Sequence, residues 1–188
     1  MITLCPILMT PDPQRLRDDL EAQGLVTVVI ARTGRWFEMR GAFGGVGVHA
    51  TAPGSERCEL SFVTDDVEAT VDRLLTAGFE DAHVWDESYG RVVGVHDPTG
   101  RLLWINEAQE DFYGYERGTQ DRGTAVVSAR VHTSRSENWA HLLRALGMVE
   151  DDGRFMLPGD GGTITLTNPT NHESGETVVV SANGMLLA

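Results

Sequence analysis

Three segments of this chain follow the same course, and that repetition limits what it can fold into more than any other feature. Thr10, Thr64 and Thr133 each follow an apolar, strand-like run: LCPILMT, ELSFVTD and SARVHTS. Each opens an amphipathic stretch that closes on a glycine, Gly24, Gly78 or Gly147, with a Thr-to-Gly spacing of 14 in all three. An apolar residue comes next: Leu25, Phe79 or Met148. Glycine accepts a left-handed φ at little cost, so it is the expected stop for a helix. Thr10 or Asp12, Asp66, and Ser134 or Ser136 are the candidate N-caps. Val67, Val71, Leu74 and Leu75 recur at helical spacing.

Strand-like sequence follows each helix. In the first copy it is LVTVVIAR, RWFEMRG and GVGVHAT, and in the second AHVWDE, RVVGVHD and RLLWINE. The third copy is shorter, GRFMLPG and GTITLTN. Each unit therefore reads β-α-β-β-β, an α+β class built by repetition. ETVVVSANG at 176–184 matches CELSFVTDD at 58–66, so 124–184 repeats the course of 1–66 and ends on the first strand of a fourth unit. The expected organisation is a pair of units over 1–107, a polar, glycine-containing linker over 108–123, and a third unit with one extra strand over 124–188.

Composition narrows the function classes. With 41% hydrophobic and 23% charged residues, the 188-residue chain is ordinary for a globular protein. The net charge is −13, and all fifteen basic residues are arginine. Such a surface repels phosphate backbones, which argues against nucleic acid and mildly favours a cationic ligand. No apolar run reaches the roughly 18–20 residues of a membrane span. The start, MITLCPILMT, lacks the basic residues of a signal peptide. Cys5 and Cys58 imply no disulfide framework and read as reduced, buried residues. The expectation is a cytoplasmic protein without a membrane partner. GAFGGVGV does not open a helix, so it reads as hairpin and strand rather than a nucleotide-binding loop.

The course V-x-D-D-V-E-A…L-x-x-A-G-F…Y-G…V-x-D-P-x-G-x-L-x-x-I over 59–107 resembles the vicinal oxygen chelate superfamily, which includes glyoxalases, bleomycin-resistance proteins, fosfomycin-resistance enzymes and extradiol dioxygenases. The resemblance implies two units packed edge to edge in a curved sheet, with helices on the convex face and the ligand on the concave face. It also implies metal ligands on the first strand, seven residues before the helix-opening Asp, and on the last strand, four residues past the Gly of the D-P-x-G turn. Carried over, these positions are Cys5, Glu59 and Ser128 on the first strands. On the last strands they are Trp104 in the second unit, Gly47 or His49 in the first, and Thr165 or Thr167 in the third. Trp and Gly offer no metal donor, so His49, Glu59 and Cys5 are what remains for a divalent metal.

Strand alternation places Ile7, Met9, Ser61, Val63, Leu102 and Asn106 on the same face as Cys5, Glu59 and Trp104, with Trp36 and Trp85 nearby. Such a face suits a small-molecule pocket. Trp104 either lines that pocket or fills it as core. Glu59 reads as a ligand, a base, or a carboxylate paired with arginine. Arg35, Arg40 and Arg91 fall on strands near the cup. Ser128, Arg130 and His132 form a polar stripe that either faces a cavity or is an exposed sheet face. The leading reading is a protein that binds a small, mostly apolar molecule, with charge favouring a cation, and without metal or other cofactor; bleomycin-resistance-like sequestration is the precedent the resemblance offers. The alternative is a metal-dependent lyase, isomerase or dioxygenase using His49 and Glu59. A third reading is an interaction module whose cup is filled by its own side chains. A lone third unit leaves a sheet edge open, so 124–188 is expected to pair with a second chain in a homodimer or to dock on the first two units.

Overall fold

The repeated threonines start the helices. The hydroxyls of Thr10, Thr64 and Thr133 accept the backbone N–H two residues on, from Asp12, Asp66 and Arg135, at 3.2, 3.2 and 2.9 Å. This local turn bends the chain from strand into helix. Asp12 and Asp66 then cap their helices through side-chain oxygens. The third helix differs from expectation: Arg135, not Ser134 or Ser136, is its N-cap, and no side chain caps it. Gly24, Gly78 and Gly147 end the helices at φ of 91°, 93° and 86°, values that explain why glycine recurs there.

The computed structural model describes residues 1–110, 112–159, 161–168 and 177–187. The first unit comprises β1 (Ile2–Leu4), β2 (Ile7–Thr10), α1 (Pro13–Ala22), β3 (Val26–Ala31), β4 (Trp36–Arg40) and β5 (Gly45–Ala50). The second comprises β6 (Arg57–Glu59), β7 (Ser61–Thr64), α2 (Val67–Thr76), β8 (His83–Glu87), β9 (Gly90–His96) and β10 (Leu102–Glu107). After β11 (Tyr115–Arg117), the third holds β12 (Val127–His132), α3 (Ser136–Ala145), β13 (Val149–Asp151), β14 (Arg154–Met156) and β15 (Thr163–Thr167). The extra strand is β16 (Thr177–Ala182), followed by β17 (Met185–Leu186).

The leading strand of each of the first two units is broken, and its halves belong to different sheets. β1 joins the second unit's sheet, ordered β1-β7-β10-β9-β8. β6 joins the first unit's sheet, ordered β11-β3-β4-β5-β2-β6. The first break falls at Cys5–Pro6, where proline has no N–H to give a ladder. The two units thus share strands reciprocally across a seam, with β1 antiparallel to β7 and β2 antiparallel to β6. Alternation sorts the side chains. Leu8, Phe37, Met39, Val46, Val48, Phe62, Leu103 and Ile105 are buried in one core, while the intervening residues face a concave cup.

The third unit has its own sheet, ordered β13-β14-β15-β12-β16-β17, in which β16 lies antiparallel to β12 as β6 lies to β2. Within the chain it packs against the first two units. The Leu4 N–H donates to Gly161 O at 2.7 Å and the Val127 N–H to Phe43 O at 2.8 Å. The His141 ring stacks on Phe79 at 5.1 Å. Buried Val127, Val131, Trp139, Leu142 and Ile164 continue the core of the first two units. No helix among the described residues is long and apolar enough to cross a membrane.

Candidate functional site

The cup of the first two units encloses a cavity of about 280 Å³, and strand register decides what faces it. β2 runs parallel to β5 with Ile7 opposite Gly47, and β7 runs parallel to β10 with Ser61 opposite Trp104. Ile7 and Ser61 each stand three residues before their helix-starting threonine. Gly47 is therefore the counterpart of Trp104, which resolves the choice between Gly47 and His49. His49 lies two residues further along the strand, exposed, opposite Met9.

Gly47 is not an empty place. A Cβ there would lie 2.5 Å from Trp36 Cη2 and 3.3 Å from Ile7 Cγ1, so the Trp36 indole lies directly across it. Glycine inside a strand is expected where another group approaches this closely. The second unit repeats the device at Gly94, whose Cβ would lie 2.5 Å from the Trp85 ring. Trp85 in turn meets Trp104 edge-on, with centroids 5.2 Å apart at 77°, a favourable aromatic geometry. Its indole N–H donates to Glu87 at 2.8 Å. Trp104 is thus held in the cup wall by a second indole. Asp97 positions its strand through a turn, accepting the N–H groups of Thr99 and Arg101 at 2.7 and 3.1 Å.

The expected inward face is largely assembled. Cys5, Ile7, Met9, Glu59, Val63, Trp104 and Asn106 all line the cavity, and His49 stands at its wall. Ser61 and Leu102 share the face but not the lining. Ser61 is buried beneath it, where its hydroxyl donates to Trp104 O at 3.0 Å and accepts from the Asn106 amide at 3.3 Å. Leu102 is exposed at the start of β10 and packs beside Gly94. Trp36 lines the cup, whereas Trp85 only supports it.

Several lining residues were not foreseen. Glu38 alternates with Trp36 and Arg40 along β4, a pattern that was readable in RWFEMRG. Tyr89 sits in the β8–β9 turn, and Glu107 ends β10. Gln109 and Tyr115 come from the expected linker, part of which is strand: β11 pairs with the edge of β3, and Tyr115 at its start lines the cup. Burial pushes the Tyr89 phenol up to about 12, with Glu87 and Tyr115 adding to the effect.

Each lining carboxylate pairs with an arginine that is the more exposed partner. The side-chain exposures are 46% for Arg40 against 10% for Glu38, 51% for Arg57 against 39% for Glu59, and 39% for Arg91 against 26% for Glu107. The three glutamates line the cavity and their arginine partners do not, since none of the cavity-lining residues is an arginine. Of the three arginines expected near the cup, Arg40 and Arg91 hold carboxylates from outside. Arg35 lies exposed in the turn before β4 rather than on a strand. Hydrogen bonds from Arg91 hold the Glu107 carboxyl below its usual range. Burial pushes the Cys5 thiol well up, reinforced by Glu38, and burial with Glu59 pushes Cys58 up to about 12.

The positions at which the resemblance places metal ligands are Cys5, Gly47, Glu59 and Trp104, and only the thiol and the carboxylate are donors. Glu59 is engaged by Arg57 at 2.7 Å. His49 and Glu59 lie on strands separated by β2, opposite Met9 and Ile7 respectively, and so are roughly 12 Å apart at the backbone. Among the described residues, no group of three His, Cys, Asp or Glu side chains converges as a metal site. The donor set does not fit a divalent metal, which wants three or more O or N donors around one point. In the third unit, Ser128 meets Ser181 and His132 meets Thr167, each at 2.9 Å, so two members of the polar stripe bond across the sheet. Arg130 is exposed beside them.

Comparison with solved structures places the architecture. The chain superimposes on a xylose isomerase-like TIM barrel/4-hydroxyphenylpyruvate dioxygenase fusion protein with TM-score 0.57 at 15% identity, covering 94% of this chain and 34% of that one. It matches a catechol 2,3-dioxygenase with TM-score 0.56 at 16% identity, covering 90% and 70%. This is the vicinal oxygen chelate fold. A Mn(II)-bound glyoxalase from Novosphingobium aromaticivorans shares the fold at TM-score 0.52 and 12% identity, with 88% of this chain covered and 60% of that one. The chain thus spans about a third of the first of these proteins and between 60% and 70% of the other two. No protein-family model matches the sequence, and no curated protein matches it closely. In this cup an indole ring stands at each of the two last-strand positions where the resemblance places a ligand: Trp104 itself, and Trp36 lying over Gly47.

Proposed function

We propose that this chain binds a small, mostly apolar organic cation in the cup of its first two units, without a metal. The observation that carries this reading is that, of the two last-strand positions where the resemblance places a metal ligand, one is Trp104 and the other is Gly47, covered by the Trp36 indole. Trp36, Trp104, Tyr89 and Tyr115 line the cavity and give a cation aromatic rings to rest on. Glu38, Glu59 and Glu107 line the same space and give it acidic character. Ile7, Met9 and Val63 supply the apolar floor expected of a small-molecule site. Capture of a ligand in such a site asks for complementary shape and charge and for no reacting group.

The test is a titration of tryptophan fluorescence and of heat with aromatic amines, run with a chelator and again after loading with Zn, Mn or Fe(II) and desalting. Saturable binding that is equal in both conditions is the expected result. Binding that requires metal, with near-stoichiometric retention lost in His49→Ala or Glu59→Ala, would replace this reading with metal-dependent lyase, isomerase or dioxygenase chemistry on the same fold.

A further inference from the structure

Glu38 is more deeply buried than the other cup carboxylates, at 8% exposure, and it is only half used. It stands on β4 between Trp36 and Arg40, opposite Val29 on β3 and Gly47 on β5. Both hydrogen bonds from Arg40, from Nε at 3.3 Å and Nη2 at 3.2 Å, fall on the same oxygen, Oε1. Among the described residues, no donor is hydrogen-bonded to Oε2. Nor is Oε2 sealed in protein: among the described residues, the buried side-chain polar atom left without a partner is Trp139 Nε1. Glu38 lines the cup and also a smaller cavity of about 140 Å³ behind it, which shares Cys5 and Val63 as a wall.

Buried acceptors normally find a donor, and an oxygen of a largely buried carboxylate that opens onto a cavity can take one from whatever occupies it. Arg40 offsets the charge at one oxygen and leaves the other open to the cavities that Glu38 lines. Thr3 and Arg122 line the smaller cavity with Glu38, and Asn106, Gln109 and Tyr115 line the cup with it, but none of them is hydrogen-bonded to Oε2. Gly45 and Gly47 on β5 have no side chain, Val29 is apolar, and the Cys5 thiol is a weak donor. The Trp36 indole covers Gly47 with its ring edge.

We infer that Glu38 Oε2 is the point of recognition for an N–H group on the ligand, so that the cup selects protonated primary or secondary amines, or amidines, over quaternary ammonium ions. This rests on the cup-binding reading and sharpens it. Aromatic faces attract any cation, quaternary ones included. A directed N–H···O bond to a desolvated carboxylate is open only to a cation that carries hydrogen. A neutral ligand of the same shape would leave the carboxylate charge unanswered.

The experiment compares three probes of one skeleton: 2-phenylethylamine, its N,N,N-trimethyl derivative and 2-phenylethanol. Each is titrated calorimetrically at neutral pH into the wild-type chain and into Glu38→Gln, which keeps the shape and removes the charge. In the wild type the primary amine is expected to bind at least about tenfold tighter than either of the others, the ratio a charge-assisted hydrogen bond supports. In Glu38→Gln the preference over the trimethyl derivative is expected to fall to within about threefold. Equal wild-type affinity for the two cations overturns the inference and leaves cup binding standing. So does a preference that survives in Glu38→Gln. If none of the three probes binds the wild type, the inference and the cup-binding reading both fail.

Discussion

Replacing Gly47 by alanine adds one methyl group at the point where the cup is most crowded. Gly47 is not among the positive-φ residues, so its backbone suits alanine. Without a steric obstacle, Gly→Ala inside a strand would stabilise by about 0.5–1 kcal/mol. The obstacle is the Trp36 ring, at 2.5 Å from the new Cβ for Cη2 and 3.0 Å for Cζ3. Ordinary carbon contacts lie at about 3.5–4.0 Å, so the indole must retreat by about 1–1.5 Å. Overpacking of this kind costs about 1–3 kcal/mol, and the half-buried ring has the open mouth of the cup to move into, which favours the lower part of that range. The net expectation is a loss of about 0.5–2 kcal/mol. For a chain of this size that lowers Tm by roughly 1–8 °C. A double-mutant cycle read by urea unfolding isolates the cause. In a Trp36→Ala background, Gly47→Ala should turn neutral or stabilising, giving a coupling of about 1–2 kcal/mol between the two sites. Strictly additive effects, or a single Gly47→Ala that gains stability, would refute the placement of Trp36 over Gly47 and with it the aromatic character of the first unit's wall.

Other outcomes follow from the same geometry. Trp104→Ala should weaken binding of 2-phenylethylamine by about tenfold or more, since it removes one of the two indole faces and frees Trp85 from its edge contact; isothermal titration checks it, and unchanged affinity would put the ligand elsewhere. Glu38 has a carboxyl pKa raised by burial and only partly restored by Arg40. Its contribution to stability is therefore present below the ordinary carboxylate range and lost as pH rises through the folded value, so the stability of Glu38→Gln relative to wild type should increase as pH is raised across that window in urea melts. Asn183 holds the third unit to the first: its side chain accepts from the Val126 N–H at 2.9 Å and donates to Gln23 O at 2.8 Å, at a φ of 50°. Asn183→Ala should cost about 1–3 kcal/mol, whereas Asn183→Gly should recover part of it by tolerating the left-handed backbone. Equal losses in the two variants would show that the backbone conformation does not matter there.

The sequence alone carried the repeat, and the repeat carried the fold. The threonine–glycine frame set where each helix starts and stops because those residues act locally, through a hydroxyl two residues from its donor and through a left-handed φ. Alternation along LLWINE and ILMT was equally local, so most of the concave face was legible before any pairing was known. Even Glu38 was within reach, since RWFEMRG places Trp36, Glu38 and Arg40 on one face. What the sequence could not supply was distance between strands. The choice between Gly47 and His49 depended on which residue of β2 stands opposite, a matter of pairing register. The break at Cys5–Pro6, which sends two halves of one strand into two sheets, arises only where the units meet. Tyr115 and Gln109 entered the cup because a polar linker found a free edge on β3, a contact that pairs Tyr115 with Ala31, 84 residues earlier in the chain. Whether Trp36 reaches Gly47 is again a question of two strands side by side. Local chemistry wrote the units into the sequence; the joining of the units decided which side chains share a cavity, and so what that cavity can hold.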